Sequence, residues 1–355
     1  MIRVRPVVAL AAALVAGLAF LGAARGPGTG PQALLSDDPP QTLQATGLFR
    51  DAAATMPAPG VTPYALNTAL FSDGAVKQRF VYLPPGAVAA YRADDVFDFP
   101  VGAVLVKTFA FPLDLRAPDG PARRLETRLL VRRAGAWVAL PYVWNAEGTE
   151  ARLSPIGATL AVSYTDAAGA PSTLAWSAPN RNQCKGCHGL EGAVTPIGPK
   201  ARNLNGDYPY ADGRENQIAH WSRLGLLSGA PSPDVAPRVP TLRDETSPVA
   251  LRARAYLDVN CAHCHRPGAA ADTSGLDLSW SQTEPARYGV EKRPVAAGRG
   301  SASFEFDIAP GAPDKSILAH RLASTDPGVM MPELGRTLVD EEGLAVVRQW
   351  IAEMK

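Results

Sequence analysis

Cys184-Lys185-Gly186-Cys187-His188 and Cys261-Ala262-His263-Cys264-His265 repeat one five-residue unit, and together they use all four cysteines of this 355-residue chain. Cys-x-x-Cys-His is the attachment signal of c-type haem. Its two thiols bond to the porphyrin vinyl groups, and the adjacent histidine is placed to bind the iron from one face. Two covalently attached haem c groups are therefore expected. Cys184, Cys187, Cys261 and Cys264 are the attachment points, with His188 and His265 as proximal iron ligands. Paired cysteines also serve zinc sites, thioredoxin-like redox centres and disulfide frameworks. None of those uses needs a histidine directly after the second cysteine, and here it occurs twice.

The N-terminus agrees with this cofactor. Arg3 and Arg5 precede an apolar run from Val7 to Leu21, broken only by Gly17, and Gly22-Ala23-Ala24 suits a signal peptidase. Residues 1–24 are expected to be a signal peptide that exports the chain to the periplasm, where haem c is attached. An uncleaved anchor is the alternative, although the run is slightly short for a span of roughly 20 residues. Residues 25–45, rich in Gly, Pro and Gln, read as a flexible leader.

The formal net charge of +1, without long runs of one sign, gives no basis for a nucleic-acid partner. The 33 prolines and 32 glycines favour turns and loops over a long helical bundle. The chain is long enough for two or three domains. The expected class is α+β multidomain: an antiparallel β domain over 46–178, a first haem region over 179–240, and a helical second haem domain over 241–355.

Within the β domain, residues 101–111 are rich in β-branched and aromatic residues. Residues 125–133 and 137–144 flank the turn Ala134-Gly135, and residues 159–165 and 172–176 flank Asp166–Gly169. Both pairs read as hairpins, with Pro141 an awkward residue in mid-strand.

For the first haem, the sixth iron ligand decides the chemistry, since two axial ligands close the iron and one leaves it open. His220 is the only histidine between the two motifs, and no methionine lies there. It sits beside the stripe Ile218, Trp221 and Leu224 of an expected helix, so His220 is the first candidate. Met56 is a remote one.

In the second haem domain, Ser247-Pro248 is expected to start a helix that runs to Cys261. Asp340-Glu341-Glu342 marks the start of a C-terminal helix carrying Leu344, Val347, Ile351 and Met354. Met330-Met331-Pro332 offers the sixth ligand, and Met331 is preferred over Met330 because proline follows it. Thioether sulfur favours reduced iron and raises the potential. His320 is expected off the apolar face of a short helix, His263 is read as structural, and Arg293 and Arg299 as surface charges.

These features carry three resemblances. The helix into Cys261, the C-terminal helix with Trp350-Ile351 and the Met-Pro loop resemble class I cytochrome c, which implies that the two helices cross. Phe99 to Lys107 resembles the strand that bears a haem-linked lysine in β-sheet cytochromes that oxidise hydroxylamine; otherwise Lys107 is a strand lysine facing solvent. The whole order, β region then two motifs then Met-Met-Pro-Glu-Leu-Gly, resembles a poorly characterised family of exported dihaem c-type cytochromes. That resemblance implies a periplasmic electron carrier working between redox protein partners. A haem enzyme or gas-binding protein with an open first iron, fed by the second haem, is the alternative. The membrane would be involved only through an uncleaved anchor.

Overall fold

The computed structural model describes residues 30–355 except residue 296. The expected signal peptide or anchor lies outside the described residues. No described helix is long and apolar enough to cross a membrane.

Nine strands account for most of the first half: Val61–Tyr64 (β1), Val76–Tyr82 (β2), Ala89–Ala90 (β3), Val104–Pro112 (β4), Ala122–Arg133 (β5), Ala136–Trp144 (β6), Ala151–Leu153 (β7), Ala158–Thr165 (β8) and Pro171–Ala178 (β9). Six form one antiparallel sheet in the order β1-β2-β4-β5-β6-β7, and β8 pairs with β9 as a separate hairpin. Both expected hairpins are present at their expected turns. Pro141 is accommodated in β6 because pairing with β7 begins only at Tyr142, so no hydrogen bond to β7 is lost there.

Successive side chains point to opposite faces of a strand. On one face of the sheet Val104, Val106, Leu129, Val131, Leu140 and Tyr142 are buried. They pack beneath Leu34, Leu43, Leu48 and Phe49. This corrects the flexible leader expected over 25–45. From Gly30 onward the segment is seated on the sheet: the Tyr142 hydroxyl donates to the Pro40 carbonyl (2.8 Å), and Leu43 N–H donates to the Ala151 carbonyl (2.9 Å). Leucines between the prolines and glycines supply the apolar surface that holds it.

The opposite face carries Leu105, Lys107 and Phe109 on β4. Register places Lys107 opposite Arg79 on β2 and opposite Arg128 on β5. Residues later in the chain cover this face. Among the described residues there are six helices: Arg181–His188 (α1), Ala201–Leu204 (α2), Gln217–Arg223 (α3), Val249–Asn260 (α4), Ile317–Ala323 (α5) and Glu341–Glu353 (α6). Ala201, Leu204, Ile218, Trp221 and Leu227 share one buried cluster with Tyr64, Val81 and Leu105 of the sheet. Leu227-Ser228 also pairs in parallel with β3. The region expected as a separate unit over 179–240 therefore has no core of its own; it completes the core of the β domain.

The last third has its own core, built from Tyr256, Leu257, Val347, Trp350 and Ile351. α4 and α6 pack closely here. A Cβ at Gly343 would fall 2.3 Å from the Tyr256 ring, so only glycine lets that ring lie against α6. Asp340 caps α6 by accepting from Gly343 N–H at 3.0 Å. α4 starts at Val249, after Pro248. Ser247 does not cap it but donates to Asp244 at 2.7 Å.

Candidate functional site

The first motif closes α1 and the second begins at the C-cap of α4, and each motif-final histidine is held by a different neighbouring segment. At the first motif, Asn180 caps α1 by accepting from Gln183 N–H (2.8 Å), and the Gln183 side chain returns the bond to Asn180 N–H (2.9 Å). His188, the last residue of α1, has Nδ1 2.9 Å from the Thr195 carbonyl. A carbonyl only accepts, so the network assigns the proton to Nδ1 and leaves the Nε2 lone pair free.

His265 reaches the same state by another route. Its Nδ1 lies 3.1 Å from Ser274 Oγ, and that hydroxyl already donates to the Ala271 carbonyl at 2.7 Å. The oxygen is therefore left to accept from His265 Nδ1–H. Burial pushes both imidazoles down to about 4, so both are neutral at pH 7. A neutral imidazole with its second nitrogen anchored is the form that ligates metals.

His265 lines a cavity of about 410 Å³, together with Cys261, Cys264, Arg321 and Met331. That volume falls in the range of roughly 300–1,000 Å³ typical of cofactor and ligand sites. Met331 lines it, while Met330 is buried outside it at 7 % exposure. His320 is not among the lining residues.

Arg336 fixes the methionine loop. It is 5 % exposed and donates to the carbonyls of Arg321, Leu322, Ser324, Met331 and Leu338 at 2.8–3.2 Å. Asp73, from the β domain, accepts from Thr337 N–H (2.6 Å) and Leu338 N–H (2.7 Å) just beyond. Arg336→Lys should cost about 3 kcal/mol, because an ammonium cannot reach all these carbonyls and unpaired buried acceptors are costly. Urea unfolding checks the loss; a change below about 0.5 kcal/mol would show that Arg336 does not organise the loop.

His188 lines a second cavity, of about 120 Å³, with Arg79, Lys107, Arg128 and Lys200. Lys107 therefore does not face solvent; it points into the space beside His188. Burial and the neighbouring Arg79, Lys77 and Arg128 push its amine well below the usual lysine range. The cavity is smaller than a whole cofactor needs. Of the first motif only His188 lines it, while Cys187 lines the larger cavity, so the lining does not by itself fit a haem. A buried guanidinium nitrogen there, Arg79 Nη2, has no hydrogen-bond partner.

His220 is not at this cavity. It is buried in α3, stacked on Tyr210 (ring centroids 3.4 Å apart) and bonded through Nδ1 to Glu215 Oε2 at 2.6 Å. The expected pairing with His188 is thus not formed. Both partners of His220 come from the hairpin 207–216 that precedes α3. Met56 is half exposed and also lies elsewhere. Among the described residues, the His188 cavity has no second histidine and no methionine in its lining. Arg293 and Arg299 form exposed ion pairs with Glu305 and Asp326.

The two motifs meet. Ligand atoms of Cys187, His263 and Cys264 lie within 4.8 Å of one another, and Cys264 Sγ is 3.5 Å from the Gly186 carbonyl. Hydrogen bonding from Cys264, then from His263, holds the Cys187 thiol below its usual range. The contact joins residues 76 or 77 positions apart, so no local pattern announces it; His263, read as structural, takes part in it. None of the four cysteines is in a disulfide. The partition between the two cavities is the end of α4: Asp258 and Val259 line one, and Asn260 and Cys261 line the other.

Lys77 stands next to this face. Burial, then Arg79, lowers its amine from 10.5 to about 7. Below pH 7 the amine is charged in folded and unfolded chains alike, and the cost of burying the charge is fully present. Between pH 7 and 10.5 only the unfolded chain holds the proton, so stability rises with pH. The rise should be on the order of a few kcal/mol and should vanish in Lys77→Met. Thermal unfolding of both proteins at pH 7 and pH 9 measures it, and equal slopes would refute the assignment.

Comparison with protein-family models, with curated proteins and with solved structures finds no match to this chain.

Proposed function

We propose that this chain is an exported dihaem c-type cytochrome that passes electrons between redox protein partners in the periplasm. The observation that carries the reading is the shared cavity of His265 and Met331 beside Cys261 and Cys264. An imidazole, a thioether and the thiols of Cys261 and Cys264 on one cavity, which Cys187 also lines, include the donor set of a His/Met haem c. The close α4–α6 packing supports a class I cytochrome c-like domain over 241–355.

Haem c bound at each motif supplies a one-electron couple. The chain's own residues do the rest. Cys184 and Cys187 would hold the first group and His188 its iron; Cys261 and Cys264 would hold the second, and His265 and Met331 its iron. Thr195 and Ser274 orient the two imidazoles. Proximity of Cys187 and Cys264 brings the two attachment edges together, which favours exchange between the couples.

The lining of the His188 cavity favours one refinement. Among the described residues no second histidine or methionine lines that cavity, so His188 is the one imidazole it would offer to a metal. This supports the alternative role of a haem enzyme or gas-binding protein at that site, with the second group as its electron relay. A separate reading draws on the Cys187–His263–Cys264 cluster, which offers three ligands to a soft metal such as zinc. It uses one thiol from each motif and neither motif-final histidine.

The test is the pyridine haemochrome count and the absorption spectrum of protein matured with the haem c machinery, with and without carbon monoxide, alongside metal analysis. Two haems per chain, a far-red methionine–iron band and a carbon monoxide shift on one haem are expected. Stoichiometric zinc without haem would overturn the reading. Two haems with no carbon monoxide shift would keep the electron carrier and remove the open iron.

A further inference from the structure

Arg79, Lys107 and Arg128 stand directly opposite one another across β2, β4 and β5, in one row of the sheet. Like charges at directly opposite positions of an antiparallel pair destabilise it. Here three cationic side chains fill one row on a covered face. Among the described residues one carboxylate pairs with them, and the Phe109 ring lies under Lys107 (4.6 Å) and Arg128 (4.3 Å). Glu126, fully buried, is bidentate to Arg128 (2.6 and 2.8 Å) and also accepts from Trp176 Nε1 at 3.0 Å. Arg79 and Lys107 make no ion pair among the described residues. Arg79 is 8 % exposed, and its Nη2 has no partner. Asp258, the carboxylate in the cavity lining, is committed to Arg202 through three contacts of 2.9–3.0 Å.

A buried donor without an acceptor costs stability, and Arg79 Nη2 is such a donor in this row. All three cationic side chains line the cavity beside His188. We propose that Arg79, Lys107 and Arg128 form a receptor for a carboxylate or small oxyanion beside His188. The cavity of about 120 Å³ takes roughly four water volumes of 30 Å³ each, which suits a planar oxyanion of nitrite size or one carboxylate group. Arg79 supplies a planar fork that matches such a group, Arg128 the edge that Glu126 leaves unused, and Lys107 an amine whose charge a bound anion would favour. The anion has two sources. One is a carboxylate of the haem attached at Cys184 and Cys187, an arm that rests on the dihaem reading. The other is a free oxyanion acting as ligand or substrate.

The experiment uses the full chain after haem maturation, with the haem count recorded first, and compares wild type with Arg79→Gln and Lys107→Met. Nitrite is titrated by calorimetry, and reduction potentials are measured on the same samples. A free-anion receptor predicts saturable nitrite binding that weakens about tenfold or more in each variant, the loss expected of one charge-assisted hydrogen bond. A receptor for the haem carboxylate predicts no nitrite binding, with one of two potentials shifting downward in each variant and the other unchanged. Potentials identical to wild type, with no nitrite binding, would overturn the proposal. If Arg79→Gln does not fold, Arg79→Lys keeps the charge and loses the fork, and Lys107→Met tests the row alone. A haem count of zero would defeat the dihaem reading; nitrite binding would then still sustain the receptor, and its absence would end it.

Discussion

Glu126→Leu should remove about 3–5 kcal/mol of folding stability, because it strips the carboxylate from a row of three buried or half-buried cations. Glu126 is 0 % exposed and is clamped by Arg128 and by the Trp176 indole. Without it, Arg128 faces Lys107 with no counter-charge. Part of the loss should return in the double variant Glu126→Leu/Arg128→Leu, which removes the orphaned charge along with its partner. Urea unfolding of the two variants and wild type decides the point. If the double variant were as unstable as the single one, the effect would lie in lost packing rather than in an uncompensated charge.

Met331→Ala should lower the potential of the second couple by on the order of 100 mV, since the axial ligand is a principal determinant of haem potential. The far-red band should disappear with it. Met330→Ala should leave band and potential in place and cost about 2–4 kcal/mol of stability, because Met330 is a buried side chain outside the cavity. Spectroelectrochemistry of both variants separates the roles. Loss of the band in Met330→Ala alone would reverse the assignment.

Elements governed by near neighbours in the chain are legible in the sequence. Ala134-Gly135 and Asp166–Gly169 mark hairpins because glycine takes the positive φ each turn needs: +85° at Gly135 and +88° at Gly169. The α4 and α6 boundaries follow from Pro248 and from the acidic run at 340–342. The preference for Met331 rests on one adjacent proline, and it is Met331 that lines the cavity with His265.

Features that depend on distant parts of the chain are not legible. Strand alternation puts Lys107 on one face of β4, but segments far along the chain, from His188 to Val259, decide that this face is covered. His220 does lie next to an apolar stripe, yet Tyr210, ten residues earlier, claims its ring. The leader has the composition of a linker, and its leucines acquire meaning only once the sheet offers them a surface. The meeting of Cys187 with Cys264 belongs to the same class.

The last turn of α4 has a consequence for how such a molecule can change over generations. Four consecutive residues, Asp258 to Cys261, give two side chains to one chamber and two to the other. The C-terminal third has its own core and resembles a cassette that a genome could exchange for another domain. Exchange would take away Asp258 and Val259, and with them a wall of the neighbouring chamber and the partner of Arg202. The two halves are therefore bound to a common history, free to drift at their outer surfaces but not to be traded one without the other.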